Sequence, residues 1–188
     1  MNWLLIVVGV VVVVLLLATV YGFNRLIRLR NEVNTGWSNI DVQLKRRNDL
    51  IPNLVEAVKG YAAHERGVFE AVTAARAAMT QASTPGAAGE ADSLLGQALG
   101  RLFAVAEAYP DLKASQNFLQ LQADLTDTED KISAARRYYN STVLAYNNAI
   151  QTFPALLFAG AVGFTAREFF AAAEGDRAPV AVSFPTQV

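Results

Sequence analysis

The sequence contains no cysteine and a single histidine, His64. The absence of cysteine excludes disulfide bonds, thiolate metal sites and cysteine nucleophiles, and it leaves the redox compartment undetermined. An excess of one charge is also lacking, because 16 lysine and arginine residues nearly balance 17 aspartate and glutamate residues, for a formal net charge of -1. The chain therefore has neither the basic surface of a nucleic-acid-binding protein nor a strongly acidic surface.

Metal-binding and catalytic motifs are missing as well. His64 precedes Glu65, but a zinc hydrolase motif needs a second histidine one turn later, where Val68 stands. We therefore interpret His64 as a structural or surface residue. No nucleophile with a supporting base, glycine-rich phosphate loop or supported pair of catalytic carboxylates can be assembled. We predict that the protein is not an enzyme and that it binds no metal and no cofactor.

One acidic group invites a calcium-binding interpretation. It consists of Asp124, Asp127, Glu129 and Asp130. A calcium loop needs ligands at alternating positions and a glycine that turns the chain. Helical periodicity instead runs straight through this group, so we interpret it as a solvated helix face.

The chain opens with a long apolar run, Trp3–Phe23, in which Thr19 is the clearly polar residue and no residue is charged. At a rise of about 1.5 Å per residue, a helix of about 21 residues spans the hydrocarbon core of a bilayer. A cleaved signal peptide is the alternative, but it needs a basic stretch before the run and a small-residue cleavage site. No lysine or arginine precedes the run, and Val20 occupies the position near Ala18 where a small residue is needed. We predict that residues 1–23 form an uncleaved transmembrane anchor.

Three arginines, Arg25, Arg28 and Arg30, closely follow the run, against Glu32 alone. Since cytoplasmic flanks of membrane helices carry an excess of lysine and arginine, the domain that follows is expected on the cytoplasmic side. Residues 24–153 should form this domain as a helical bundle.

The central segment of the predicted bundle is Trp37–Tyr61, in which apolar residues recur every three or four positions. Pro52 lies inside this pattern, and proline removes a backbone hydrogen-bond donor and clashes with the preceding turn. Because the apolar pattern keeps its phase across Pro52, we favour a kinked continuous helix over a helical hairpin. The kink is predicted near residues 48–51.

Arg46 and Arg47 place positive charge beside this apolar pattern, and Glu129 occupies the corresponding position in a later helix. We hypothesise that these residues, with Glu107 and Arg136, form a partly buried network that fixes the register of the helices. The rival interpretation is a binding site for a polar ligand between the helices.

The remaining helices are predicted from periodicity and from breaker residues. Helix is expected from Asn24 to about Ala82, followed by a loop at Ser83–Glu90 that collects Ser, Thr, Pro and Gly. A further helix from about Ala91 should stop at Tyr109–Pro110, since the residue before proline is disfavoured in a helix. A long helix with a near-heptad pattern should begin at Asp111 or Ser115 and end before Pro154.

Residues 154–188 are predicted to pack on the bundle. Ala155–Phe164 is too short to span a membrane, and Ala166–Glu174 could form a short helix. Ala178–Phe184 is mainly apolar, contains Pro179 and is followed by Pro185, so we expect an extended tail. A partner or the membrane surface is the alternative site for this apolar surface. Tyrosines and asparagines of the long helix, among them Tyr139 and Asn147, are expected to form hydrogen bonds between helices.

Several motifs occur in an order that resembles the LemA family of bacterial membrane proteins. They are IDVQLKRRNDLIPNLVEAVKGYAAHE, AEAYPDLKAS at Ala106–Ser115, Thr128–Glu129 with Ala135–Arg136, and the pairs Tyr139–Asn140 and Tyr146–Asn147. With the apolar N-terminal segment, the resemblance covers nearly the whole chain. It implies a helical bundle anchored in the bacterial cytoplasmic membrane, and it implies no reaction. A relative of the family acts in membrane shaping in magnetosome-forming bacteria, which keeps bilayer remodelling open.

We therefore predict an all-α protein: one N-terminal transmembrane helix, then an elongated antiparallel bundle with long coiled-coil-like helices, then an extended C-terminal tail. The predicted function is that of a non-enzymatic scaffold or adaptor that associates with itself at the membrane. Its expected partners are the lipid bilayer, further copies of the chain and other membrane proteins, and nucleic acid is not expected. The alternatives are a partner- or ligand-sensing transducer that bends at Pro52, or an accessory subunit of a membrane enzyme.

Overall fold

The structure is a computed structural model that describes residues 2–170. The described residues form no β-strand, and their helices are α1 Asn2–Lys59, α2 Arg66–Gln81, α3 Pro85–Glu107, α4 Pro110–Lys113, α5 Gln116–Gln151 and a short 3-10 helix, Ala155–Leu157. The predicted all-α fold with a long apolar N-terminal helix is confirmed. The chain divides into two compact units, one of residues 2–54 and 116–169 and one that includes residues 55–115.

Helix α1 is continuous through Pro52 and ends at Lys59, so the hairpin alternative is wrong and the kink stays a prediction. The prediction of unbroken helix to Ala82 is also wrong. At Gly60 the chain leaves the helix, and the amide of Tyr61 donates to the carbonyl of Val58 in a tight turn. Glycine has a low helix propensity because its backbone loses the most conformational freedom in a helix. The pattern of apolar residues continues past this point and conceals the break.

The loop predicted at Ser83–Glu90 is shorter in the structure, because α3 begins at Pro85. The hydroxyl of Thr84 accepts a hydrogen bond from the amide of Ala87 at 3.2 Å and caps the new helix. Threonine followed by proline is a favourable helix start, since the cap satisfies a free amide and proline has the required φ angle. This start signal prevails over the two glycines of the segment.

In the unit that contains residues 55–115, α2 and α3 pack against each other across the three-residue connection at 82–84. The buried residues of α2 are Phe69, Val72, Ala75 and Met79, and the larger set on α3 includes Ala91, Leu95, Ala98 and Leu102. Many of these are alanines, which allow helix backbones to approach closely. Helix α3 ends at Glu107, three residues before Pro110, close to the predicted position.

In the other unit, α1 and α5 lie side by side and run in opposite directions. The order of contacts establishes the direction, because Trp37 on α1 meets Tyr139 whereas Arg47 meets Glu129, which comes earlier in α5. The approach is close at Gly36, where a Cβ atom would lie 3.3 Å from the Cα atom of Tyr139. Any side chain at Gly36 would push the two backbones apart.

The first part of α1 differs from the rest of the helix in its surroundings. Among residues 2–21 all are exposed apart from Ala18, which is half-buried, although most of these residues are apolar. From Leu26 onward the apolar residues of α1 are buried at regular intervals. Within residues 2–170, α1 is the one helix long and apolar enough to cross a membrane.

Beyond α5 the structure corrects the predicted C-terminal segment. Residues 164–170 are extended, so the short helix predicted at Ala166–Glu174 is wrong for its described part. The physical reason is that side chains of α5 hold the backbone of Arg167 and Glu168 and prevent a helical arrangement. The tail predicted at Ala178–Phe184 lies outside the described residues.

Candidate functional site

The contact between α1 and α5 contains a buried charge. The side chain of Arg47 is 2% exposed, and its Nη1 atom lies 2.7 Å from the Oε2 atom of Glu129, whose side chain is 58% exposed. Arg47 follows Ile40 and Leu44 in the series of buried positions on α1. The arginine therefore occupies a core position of the helix pair, and its guanidinium reaches a carboxylate at the edge of the contact.

Two further buried polar groups belong to this region: Gln43 on α1 and Thr128 on α5. Gln43, one turn earlier on α1, buries its Oε1 atom, for which the described residues provide no hydrogen-bond donor. Thr128 is fully buried and its hydroxyl donates to the carbonyl of Asp124 at 2.7 Å. Polar groups at this depth are costly unless they form hydrogen bonds, and Thr128 meets this requirement within its own helix.

A second ion pair lies on the surface beside the first. Arg46 Nη1 is 3.6 Å from Asp127 Oδ2, which also accepts a hydrogen bond from Lys131 at 2.7 Å. The pKa of Asp127 is lowered below its ordinary value, chiefly by the hydrogen bond from Lys131. Desolvation opposes this effect, and the charges of Lys131 and Arg46 lower the pKa further. Its contribution to stability is present above its pKa in the unfolded chain and is lost as the pH falls through the folded pKa.

The structure places the residues of the predicted polar network as follows. Arg47 and Glu129 are in contact, and Arg46 pairs with Asp127 rather than with Glu129. Arg136 is half-buried on α5, two helical turns after Glu129. Glu107 is exposed at the end of α3, which belongs to the other compact unit. The assigned role of this network in helix register therefore stays a prediction.

The acidic group on α5 is not arranged as a cation site. Asp127 bonds to Lys131 on its own helix, and among residues 2–170 no three acidic or histidine side chains lie close enough to hold a metal ion. His64, in the turn between α1 and α2, is exposed.

A second polar cluster joins α5 to the extended segment, residues 164–170. The amide side chain of Asn147 donates to the carbonyl of Arg167 at 2.9 Å and accepts from the amide of Arg167 at 2.8 Å. The hydroxyl of Tyr139 donates to the carbonyl of Glu168 at 2.8 Å. The prediction that these residues form hydrogen bonds between helices is therefore wrong, because both bind the backbone of a segment that returns along α5.

Aromatic and cationic contacts secure the same segment against α1. The ring of Phe164 is 5.7 Å from that of Phe23 in an edge-to-face arrangement, and the guanidinium of Arg30 lies 5.4 Å from its centroid. Phe164 is 5% exposed. Edge-to-face and cation–π contacts stabilise such a ring beyond the effect of its burial. The sequence predicted that residues 154–188 pack on the bundle but did not identify these partners. The available signal was the uncharged stretch between Arg137 and Arg167.

Burial raises the pKa of Tyr139 above its ordinary value of 10.0, and the charge of Glu168 adds to this while that of Arg167 opposes it. The ring of Tyr139 also packs against Trp37, with 5.8 Å between centroids. The neutral phenol is therefore the form that the folded protein favours, and it serves as a hydrogen-bond donor rather than as a catalytic base.

A shallow groove lies between α2 and α3. It has a volume of about 280 Å³ and is lined mainly by alanines, with Leu94, Gln97 and Arg101 along the α3 side. Its walls offer apolar contacts and one cation at the rim, without a pair of groups that could transfer a proton.

Comparisons with known proteins identify a matching family and several relatives. The model of the LemA family matches residues 36–184. The chain is 30% identical to the magnetosome protein MamQ 2 of Paramagnetospirillum magneticum, over 88% of this chain and 71% of that protein. It is 27% identical to the magnetosome protein MamQ of Magnetospirillum gryphiswaldense, over 79% of this chain and 64% of that protein. It is also 30% identical to the protein LemA of Metamycoplasma hominis, over 69% of this chain and 60% of that protein.

Proposed function

This chain belongs to the LemA family, and from that premise we propose that it is a membrane-anchored helical scaffold or adaptor that catalyses no reaction itself. The membrane in question is the cytoplasmic membrane of a bacterium, with one pass by α1 and the helical units on the cytoplasmic side.

The observation that carries the proposal is the continuity of α1. One helix of 58 residues contains both the exposed apolar segment and the buried positions that pack on α5. At about 1.5 Å per residue, the exposed first part is long enough to cross the hydrocarbon core of a bilayer. No flexible linker separates the anchor from the packed unit, so the anchor fixes the orientation of that unit at the membrane surface.

Similarity to two MamQ proteins supports a role at a membrane structure, since those relatives are described as magnetosome proteins. A scaffold needs contacts between copies or with other membrane proteins, and an anchor favours weak contacts by confining the chains to two dimensions. We therefore include self-association in the proposal.

The mass of the full chain in nanodiscs and in detergent, measured by light scattering with electron microscopy, tests the proposal. A chain that starts at Asn24 serves as the comparison. We expect a defined multimer that requires residues 1–23. Monomers under both conditions would contradict self-association and would move attention to a different partner protein.

The orientation can be tested because the chain has no cysteine of its own. Single cysteines are introduced as Asn2→Cys and Ser141→Cys, both at exposed positions, and intact spheroplasts are treated with a maleimide that does not cross membranes. We expect labelling of the first variant only. Labelling of Ser141→Cys alone would reverse the orientation.

A second candidate function is that of a transducer. The division of the chain into two compact units falls between Leu54 and Val55, two residues after Pro52. A proline in a helix interior removes one hydrogen bond and weakens the helix locally. Binding of a partner could therefore change the bend of α1 at this position, and the substitution of Pro52 considered in the Discussion tests this candidate.

A further inference from the structure

The chain reversal after α5 exposes an unusual amount of apolar surface. Within residues 152–163, which we call the apolar turn, the exposed fractions are 72% for Phe153, 61% for Leu156, 75% for Leu157 and 51% for Val162. No charged residue occurs between Arg137 and Arg167. Large exposed apolar surfaces on folded proteins mark interaction sites.

The apolar turn lies against the end of the predicted membrane span. A Cβ atom placed on Gly22 would be 3.4 Å from Cζ of Phe158 and 3.6 Å from Cγ of Pro154. Gly22 belongs to the last turn of the apolar run at the start of α1. Ala18, one turn earlier, is half-buried whereas its neighbours on both sides are exposed. The apolar turn therefore lies beside the end of the predicted membrane span of α1 and not beside the charged part of that helix.

The register of α1 and α5 explains this position. Tyr139 lies beside Gly36 and Glu129 lies beside Arg47, so each step forward on α5 is a step back on α1. With that register, the end of α5 at Gln151 is level with Asn24. The chain that follows must turn at the level of the apolar run before it returns as the extended segment.

Positively charged residues follow directly after the part of α1 that lies beside the apolar turn. Arg25 and Arg28 are exposed on the next turns of α1, and Arg30 covers the ring of Phe164. Apolar side chains at one level and arginines just beyond them match the acyl chains and the phosphate groups of a bilayer surface.

We propose that the apolar turn is a second membrane contact, in which Phe153, Leu156 and Leu157 insert into the boundary between acyl chains and headgroups beside α1. The proposal rests on the proposed membrane span of α1, which holds the turn permanently at the bilayer surface. Because the two contacts lie at one end of the helix pair, they restrict the tilt and rotation of α1 in the bilayer in a way that a single helix cannot.

Spin labels on single cysteines test this proposal in the full chain, reconstituted in nanodiscs of phosphatidylethanolamine and phosphatidylglycerol. The test variant is Leu157→Cys. Val12→Cys reports the middle of the span, and Leu144→Cys reports an exposed leucine of α5 that is 52% exposed and lies away from the apolar turn. The measurement is the accessibility of each label to oxygen, which partitions into lipid, relative to a water-soluble nickel chelate.

We expect the oxygen-to-nickel ratio at Leu157→Cys to be several-fold higher than at Leu144→Cys and below that at Val12→Cys. A ratio at Leu157→Cys equal to that at Leu144→Cys, with Val12→Cys in lipid, would overturn the second membrane contact and leave the span intact. Low accessibility to both reagents at Leu157→Cys would overturn it in favour of a contact with another copy of the chain. A water-exposed label at Val12→Cys would overturn the span itself, and with it the proposed function.

Discussion

The guanidinium of Arg47 lies 2.7 Å from the carboxylate of Glu129, with the arginine side chain 2% exposed and the glutamate side chain 58% exposed. The pair therefore extends from the interior of the α1–α5 contact to its surface. A buried ion pair contributes little net stability compared with apolar side chains of the same size. Removal of one partner is nevertheless costly, because it leaves the other charge buried and unpaired. We therefore expect the pair to influence which positions of the two helices meet, a role that stays a prediction.

Reversal of the buried charge should destabilise the protein strongly. We expect Arg47→Glu to lower the free energy of unfolding by about 3 kcal/mol or more, since it buries a carboxylate beside Glu129. The matched control is Lys45→Glu, which makes the same charge change at an exposed position two residues earlier. Thermal unfolding followed by circular dichroism measures both, and equal shifts in the two variants would contradict the role assigned to the pair.

Exchange of the two charges between Arg47 and Glu129 shows whether the residues interact or whether the loss of arginine alone destabilises the protein. In the double variant Arg47→Glu with Glu129→Arg, we expect part of the stability lost in Arg47→Glu to return. An additive effect of the two substitutions would mean that the residues do not interact.

Two glycines should respond to alanine in opposite directions. At Gly36 the new Cβ atom would lie 3.3 Å from the backbone of Tyr139, so Gly36→Ala should destabilise the protein by about 1–3 kcal/mol through overpacking. At Gly96 on α3 an added Cβ atom would meet no atom within 4 Å apart from its own stretch of helix. Gly96→Ala should therefore stabilise α3 by about 0.5–1 kcal/mol, the difference in helix propensity. Midpoints of thermal unfolding give both signs, and the same sign for both would refute the close approach at Gly36.

Asn147 should control the extended segment. Asn147→Ala removes the acceptor of the amide of Arg167 and the donor to its carbonyl, so hydrogen exchange at Arg167 should accelerate while the amides of α5 keep their rates. The lost stability should be about 1 kcal/mol, since each exposed hydrogen bond contributes little net free energy. Asn148→Ala, at the neighbouring exposed position, should change neither quantity. Faster exchange along all of α5 would indicate a general loss of helix stability instead.

Alkaline pH should weaken the contact at Tyr139. Its folded pKa is raised above 10.0, so its contribution is fully present below the unfolded pKa and is lost as the pH rises through the folded pKa. Between about pH 9 and pH 11, the wild type should lose more stability than Tyr139→Phe, which cannot ionise at this position. Tyr138→Phe, at a residue that is 46% exposed, should behave as the wild type. Identical pH profiles for all three proteins would contradict the prediction.

Pro52 can be replaced to test its effect on α1. Pro52→Ala restores the backbone donor, and we expect an unchanged helix content with a gain in stability of at most about 3 kcal/mol, the difference in helix propensity. The control is Asn53→Ala, at the adjacent exposed position. If the transducer function holds, Pro52→Ala also disturbs assembly or signalling while the control does not. An unchanged assembly and phenotype would count against that function.

The sequence by itself determined the helical class, the long apolar helix at the start of the chain and the continuity of α1 across Pro52. These follow from local properties: the spacing of apolar residues, an uncharged run of sufficient length, and a pattern that keeps its phase through the proline. Proximity of Arg47 and Glu129 was also predicted, because both charges lie beside the apolar positions of their helices.

Only the tertiary structure decided which groups Tyr139 and Asn147 bind and where the apolar turn lies. Each depends on what another part of the chain brings to the same place. Asn147 binds the backbone of Arg167, which carries no signal in its side chain. The position of Phe158 against Gly22 follows from the register of α1 and α5, and side-chain periodicity along one helix contains no information on register between two.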